Sequence, residues 1–144
     1  MELIKSFKVD HTKHGPGFYV SDEKDGIVTY DLRFCRPNGG KYIGIRALHT
    51  IEHLFAAHIR NGGLGPSVIY FGPMGCRTGF YLLVKDAPLA NALTETKKAL
   101  EFIIGYNGKI IGASEAECGN YRCHSLRGAK AECLKYLEII KQYG

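Results

Sequence analysis

The chain has 144 residues, of which 45% are hydrophobic and 23% charged, a balance that suits a globular domain spanning 1–144. Its formal charge is +5, yet lysine and arginine are scattered, with no run longer than Lys97-Lys98 and no basic stripe on any predicted helix, which argues against a nucleic-acid partner. No apolar run approaches the ~20 residues needed to cross a bilayer, so no membrane role is expected.

Met1-Glu2-Leu3-Ile4-Lys5 lacks the basic lead and apolar core of a signal peptide. The five cysteines are an odd number and argue against a disulfide framework, so a reducing cytoplasmic setting is expected. Residues 2–9 read as a strand, followed by a polar connection through His14-Gly15-Pro16-Gly17. Phe18-Tyr19-Val20 is a short strand and Asp22 to Gly26 a turn. The clearest strand is 27–35, with Val28, Tyr30, Leu32 and Phe34 on one face and Thr29, Asp31, Arg33 and Cys35 on the other. An open face carrying Arg33 suggests a deep cleft or a partner subunit.

Pro37-Asn38-Gly39-Gly40 breaks that strand, and a helix is predicted from Ile45 to Asn61, with an apolar stripe at Leu48, Ile51, Leu54 and Phe55 and a stop at Gly62-Gly63. Strands are predicted for Ser67–Phe71 and Thr78–Val84, joined by a tight loop at 72–76. Pro88 opens a helix to Ile104, with Leu89, Leu93, Leu100 and Ile103 inward. A short strand at Lys109–Ala113 and a loop at 115–121 precede a last helix, Leu126–Tyr143, which is expected to bury Leu134, Leu137 and Ile140. The predicted fold class is α+β, a mostly antiparallel sheet with helices packed on one face.

Chemistry concentrates at His49-Thr50-Ile51-Glu52-His53. Histidines four apart share one helix face, so both rings reach one metal ion, and Glu52 projects from nearly the same side. The order H-x-x-E-H occurs among metal hydrolases. A catalytic site needs a third protein ligand with a position left open, and Cys118, Cys123, His124, Cys76 and His58 are the candidates. His58 is about 140° further round the helix than His53 and so faces elsewhere. Cys35 and Cys133 sit in regular elements and read as core packing. Cys76 lies in the Gly-flanked turn Gly75-Cys76-Arg77-Thr78-Gly79, accessible and beside an arginine, which makes it a candidate nucleophile or acid/base group.

Five stretches stand in a recognisable order: Ser6-Phe7 with Asp10-His11-Thr12; Tyr30 to Asn38; Leu48 to Leu54; Gly72 to Leu82; and Glu117-Cys118-Gly119-Asn120-Tyr121. Together they resemble the S-ribosylhomocysteine lyase family along nearly the whole chain. The resemblance implies a homodimer with sites near the subunit interface. It implies one divalent iron per subunit, replaceable by zinc or cobalt, held by His49, His53 and Cys118. Cys76 and Glu52 would be the acid/base pair, and Ser6, His11 and Arg33 would bind the substrate, S-ribosylhomocysteine. The implied products are homocysteine and 4,5-dihydroxy-2,3-pentanedione, the autoinducer-2 precursor used in quorum sensing. The chain departs from the family pattern at Thr29, where a lysine is expected, and at Tyr70, where an acidic residue is expected. Two other readings of the same residues are an H-x-x-E-H metallopeptidase and a diverged, non-catalytic metal-binding or sensing relative.

Overall fold

Alternating apolar residues place β2 (Ile27–Arg33) at the centre of a sheet, where Val28, Tyr30 and Leu32 enter the core. The computed structural model describes residues 14–143, so the predicted strand 2–9 lies outside the described residues, as do Ser6 and His11. β1 (Gly17–Lys24), β2, β3 (Val68–Pro73) and β4 (Gly79–Lys85) form an antiparallel sheet in the order β1-β2-β4-β3. β1 runs further than the three residues predicted. The chain turns only at Asp25-Gly26, where both residues take positive φ (54° and 80°), the tight primed turn that matches strand twist. Val28 opposes Val84, Tyr30 opposes Leu82 and Leu32 opposes Phe80, so the two central strands present one continuous apolar face.

Among the described residues, α1 (Ile45–Asn61) and the last helix lie against the sheet, and a third helix packs on both. α1 buries Ala47, Thr50, Ile51, Leu54, Phe55 and Ile59, and the Phe55 ring stacks on Phe71 of β3. α2 (Leu89–Gly105) and α3 (Leu126–Ile140) pack against α1 and each other. Ser125 caps α3 by accepting a hydrogen bond from the Gly128 N–H at 3.0 Å. The α+β class, with helices on one face, is as predicted from sequence.

Three expectations fail for local reasons. Lys109–Ala113 is a turn, because Gly112 takes φ 71° in its middle and Ala113 N–H bonds Ile110 O, so no strand can run through it. Leu134 is half exposed, since the buried stripe of α3 is Ala129, Cys133, Tyr136, Leu137 and Ile140, and Leu134 lies about 100° away from Cys133 around the helix. Leu89 is also half exposed, at the very start of α2.

Gly79 sits where β4 passes β2, and a Cβ there would collide with the Leu32 carbonyl oxygen, whereas Gly105 has open space at its Cβ position. Gly79→Ala should therefore lower stability by about 1–3 kcal/mol in urea titrations, while Gly105→Ala, at the end of α2, should be neutral or stabilising by up to about 1 kcal/mol.

Candidate metal centre

Thr50, Ile51, Leu54 and Phe55 fasten one side of α1 to the core, which turns His49, Glu52 and His53 to the other side, toward the loop before α3. The second nitrogen of each ring is anchored there. His49 Nδ1–H donates to the Cys123 carbonyl at 2.8 Å, and His53 Nδ1–H donates to the Ile111 carbonyl at 2.9 Å. A carbonyl only accepts, so each Nδ1 carries a hydrogen, and in the neutral ring each Nε2 keeps its lone pair for a ligand. Both Nε2 atoms face Cys118 Sγ, at 3.4 Å from His49 and 3.8 Å from His53.

His124 joins this group. Its ring stacks on His49 with centroids 4.0 Å apart, and Nδ1 lies 2.9 Å from Thr50 Oγ1, which also accepts from Ser125 N–H. His124 Nε2 is buried without a hydrogen-bond partner among the described residues. One ligand atom from each of His49, His53, Cys118 and His124 lies within 4.8 Å of all the others. Two or three imidazoles with a thiolate form a donor set suited to iron or zinc rather than magnesium. Burial, reinforced by the neighbouring His49 and His53, pushes the His124 pKa down to about 4.

Of the other third-ligand candidates, Cys123 supplies its carbonyl to His49, and His58 turns away to pack its ring, tilted, against Phe102 of α2. Cys133 is fully buried and burial pushes its thiol pKa up, while burial and the charge of Glu132 raise that of Cys35. Both are packing residues. Glu52 is half-buried on α1, with no hydrogen-bond or ion-pair partner among the described residues.

Cys76 belongs to a second cluster. It is exposed on the β3–β4 turn, and its Sγ lies 3.1 Å from Thr78 Oγ1. Arg77, the neighbour expected to act on this thiol, takes φ 59° and sends Nη1 to the Ile43 carbonyl at 3.1 Å instead. The Ile43 N–H bonds back to Arg77 O, so the turn is tied to the entrance of α1. Arg33 is on the outer sheet face as predicted but is only 1% exposed. Its Nε and Nη2 donate to Asp31 at 3.1 and 2.7 Å, and Nη1 donates to Thr78 Oγ1 at 2.9 Å. His14 lies 2.9 Å from the same Asp31 carboxylate. Thr78 and Asp31 thus enter the site without having been singled out from sequence. The alternation of Asp31 and Arg33 on one strand face is the signal that pairs them.

Neither Arg33 nor Cys76 makes a hydrogen bond to any of the four clustered donors among the described residues. The departures Thr29 and Tyr70 oppose Leu83 from its two sides, one row across the sheet, and the Tyr70 ring folds over Gly72 into space that a Cβ would occupy. A cleft of about 720 Å³ opens beside His124, lined by Lys109, Ile111, Ser114, Glu117 and Tyr121 among others.

The family model for S-ribosylhomocysteinase (LuxS) matches residues 4–143. Similar proteins include an S-ribosylhomocysteine lyase of Finegoldia magna, 45% identical over 97% of this chain and 92% of the relative. Another, from Borreliella burgdorferi, is 43% identical over 97% and 93%, and one from Phocaeicola vulgatus is 40% identical over 99% and 92%.

The folded chain resists protonating His124 between about pH 6.5 and 4, whereas the unfolded chain takes that proton near 6.5. Stability of the metal-free protein should therefore be lost as pH falls through this window. Urea midpoints across it should fall less steeply in His124→Gln than in the parent.

Proposed function

This chain belongs to the S-ribosylhomocysteine lyase family and is an enzyme that cleaves S-ribosylhomocysteine, and from that premise we propose how its residues share the reaction. The products are homocysteine and 4,5-dihydroxy-2,3-pentanedione, the autoinducer-2 precursor. The ribose carbonyl migrates along the sugar by successive proton transfers until the carbon–sulfur bond lies β to it, and elimination follows. The observation that carries the assignment is the convergence of His49, His53 and Cys118 from a helix and a distant loop.

His49, His53 and Cys118 hold one divalent ion per subunit, iron by the family resemblance, with zinc or cobalt able to substitute. When bound, the ion supplies Lewis-acid stabilisation for the negative charge that builds on a sugar oxygen as the neighbouring C–H is deprotonated. Glu52 and Cys76 move the protons. Glu52 shares the helix face of His49, and its carboxylate has no competing partner among the described residues. Cys76 is exposed on a turn tied to the entrance of α1, which allows a thiolate to reach a bound sugar.

Ser6, His11 and Arg33 orient the substrate. Among the described residues, three of the five guanidinium N–H groups of Arg33 are committed to Asp31 and Thr78, and the other two have no partner there. The enzyme is a cytoplasmic homodimer with sites near the interface. Support for the dimer comes from the exposed Ile69 and Tyr70 on the edge strand β3, apolar surface that a second copy would cover. No helix among the described residues is long and apolar enough to cross a membrane.

Iron-loaded protein should release free thiol from S-ribosylhomocysteine in a colorimetric thiol assay, and absence of release would contradict the assignment. Cys118→Ala should lose both the ion, by elemental analysis, and turnover. Cys76→Ala should keep the ion and lose turnover by about 10²–10⁴-fold. Sedimentation should give twice the chain mass of 16.0 kDa.

A further inference from the structure

We propose that Thr78 is the positioning residue for Cys76, donating its hydroxyl hydrogen to the Cys76 thiolate while Arg33 holds the hydroxyl oxygen from behind. This rests on the acid/base reading of Cys76 given above.

The direction of each bond follows from what the groups can do. A guanidinium has only donors, so the 2.9 Å contact from Arg33 Nη1 makes Thr78 Oγ1 the acceptor. The hydroxyl's single hydrogen is then left for another acceptor, and Cys76 Sγ lies 3.1 Å away. A neutral thiol can donate back to the same oxygen, but a thiolate can only accept. A thiolate at Cys76 is therefore met by a donor already aimed at it, and the cationic neighbour behind the hydroxyl strengthens that donor.

The hydroxyl is held with little freedom. Thr78 is 2% exposed, and its carbonyl accepts from both the Phe34 and Cys35 N–H groups, at 2.8 and 2.9 Å. Its branched side chain has few rotamers. Arg33 is fixed in turn by the two-pronged Asp31 contact, with His14 on the same carboxylate. A buried, rigid chain of side chains thus runs from Asp31 through Arg33 and Thr78 to an exposed sulfur on a turn. Arg33 makes no hydrogen bond to that sulfur among the described residues, so the hydroxyl is the link between them.

The test is the pH profile of iodoacetamide alkylation at Cys76 in metal-loaded protein without substrate, read by mass spectrometry of the Cys76 peptide so that the other four cysteines do not contribute. Thr78→Val should shift the profile to higher pH, slowing alkylation about tenfold on its rising limb, because one hydrogen bond to a charged group is lost. Thr78→Ser, which keeps the hydroxyl, should restore the parent profile. If Thr78→Val does not fold, Thr78→Ala takes its place and should separate from Thr78→Ser in the same sense. Profiles of Thr78→Val or Thr78→Ala that superimpose on the parent would overturn the proposal, as would a Thr78→Ser profile that follows Thr78→Val. Thiol release by Cys76→Ala tests the acid/base reading separately. Survival of turnover there would remove the catalytic role of Cys76, while the alkylation profiles would still decide the hydrogen bond.

Discussion

Two backbone carbonyls govern this structure. The Cys123 and Ile111 oxygens each accept a hydrogen bond from the Nδ1–H of a histidine on α1, and in the neutral rings this leaves two Nε2 lone pairs facing one sulfur. The arrangement needs α1 to present His49 and His53 one turn apart, and it needs the 106–125 segment to be irregular. A strand there would spend its carbonyls on a sheet ladder. The left-handed Gly112 keeps Ile111 out of any strand, with its oxygen free to hold a ring. Core packing and ligand geometry therefore meet in α1. The same helix buries Ile51, Leu54 and Phe55 on one side and carries the donors on the other.

The second cluster is built on a different principle. Asp31 and Arg33 are both nearly inaccessible, and such a pair is costly to desolvate unless its geometry is well made. Here the pairing is two-pronged, and the remaining hydrogen bonds go to His14 and Thr78. Removing either charge would strand the other in the interior, so the pair is a rigid fixture. Among the described residues, Thr78 is its link to the exposed sulfur of Cys76. One cluster thus offers soft donors for a cation, and the other offers a thiol backed by a buried positive charge.

Much of this is legible in the sequence, because helices and strands impose fixed relations on neighbours. Spacing of four aligns His49 with His53, and spacing of five sends His58 to Phe102. Alternation along 27–33 sorts Tyr30 and Leu32 from Asp31 and Arg33. Spacing cannot name the third ligand, since Cys118 is 69 residues from His49 and arrives through a loop. Resemblance to the lyase family supplies that residue, and the structure brings the sulfur to the rings. His124 enters through Thr50, a hydroxyl on the buried side of α1, which periodicity treats as one more core position. Lys109–Ala113 misleads because its two isoleucines look like a strand while Gly112 prevents one. Leu134 misleads because its neighbour Cys133 takes the buried place.

X-ray absorption at the metal edge tests the central claim most directly. The iron-loaded enzyme should show nitrogen ligands and one sulfur. That sulfur should vanish in Cys118→Ser and persist in Cys76→Ser. A shell of nitrogen and oxygen alone, or a sulfur that survives in Cys118→Ser, would contradict the account.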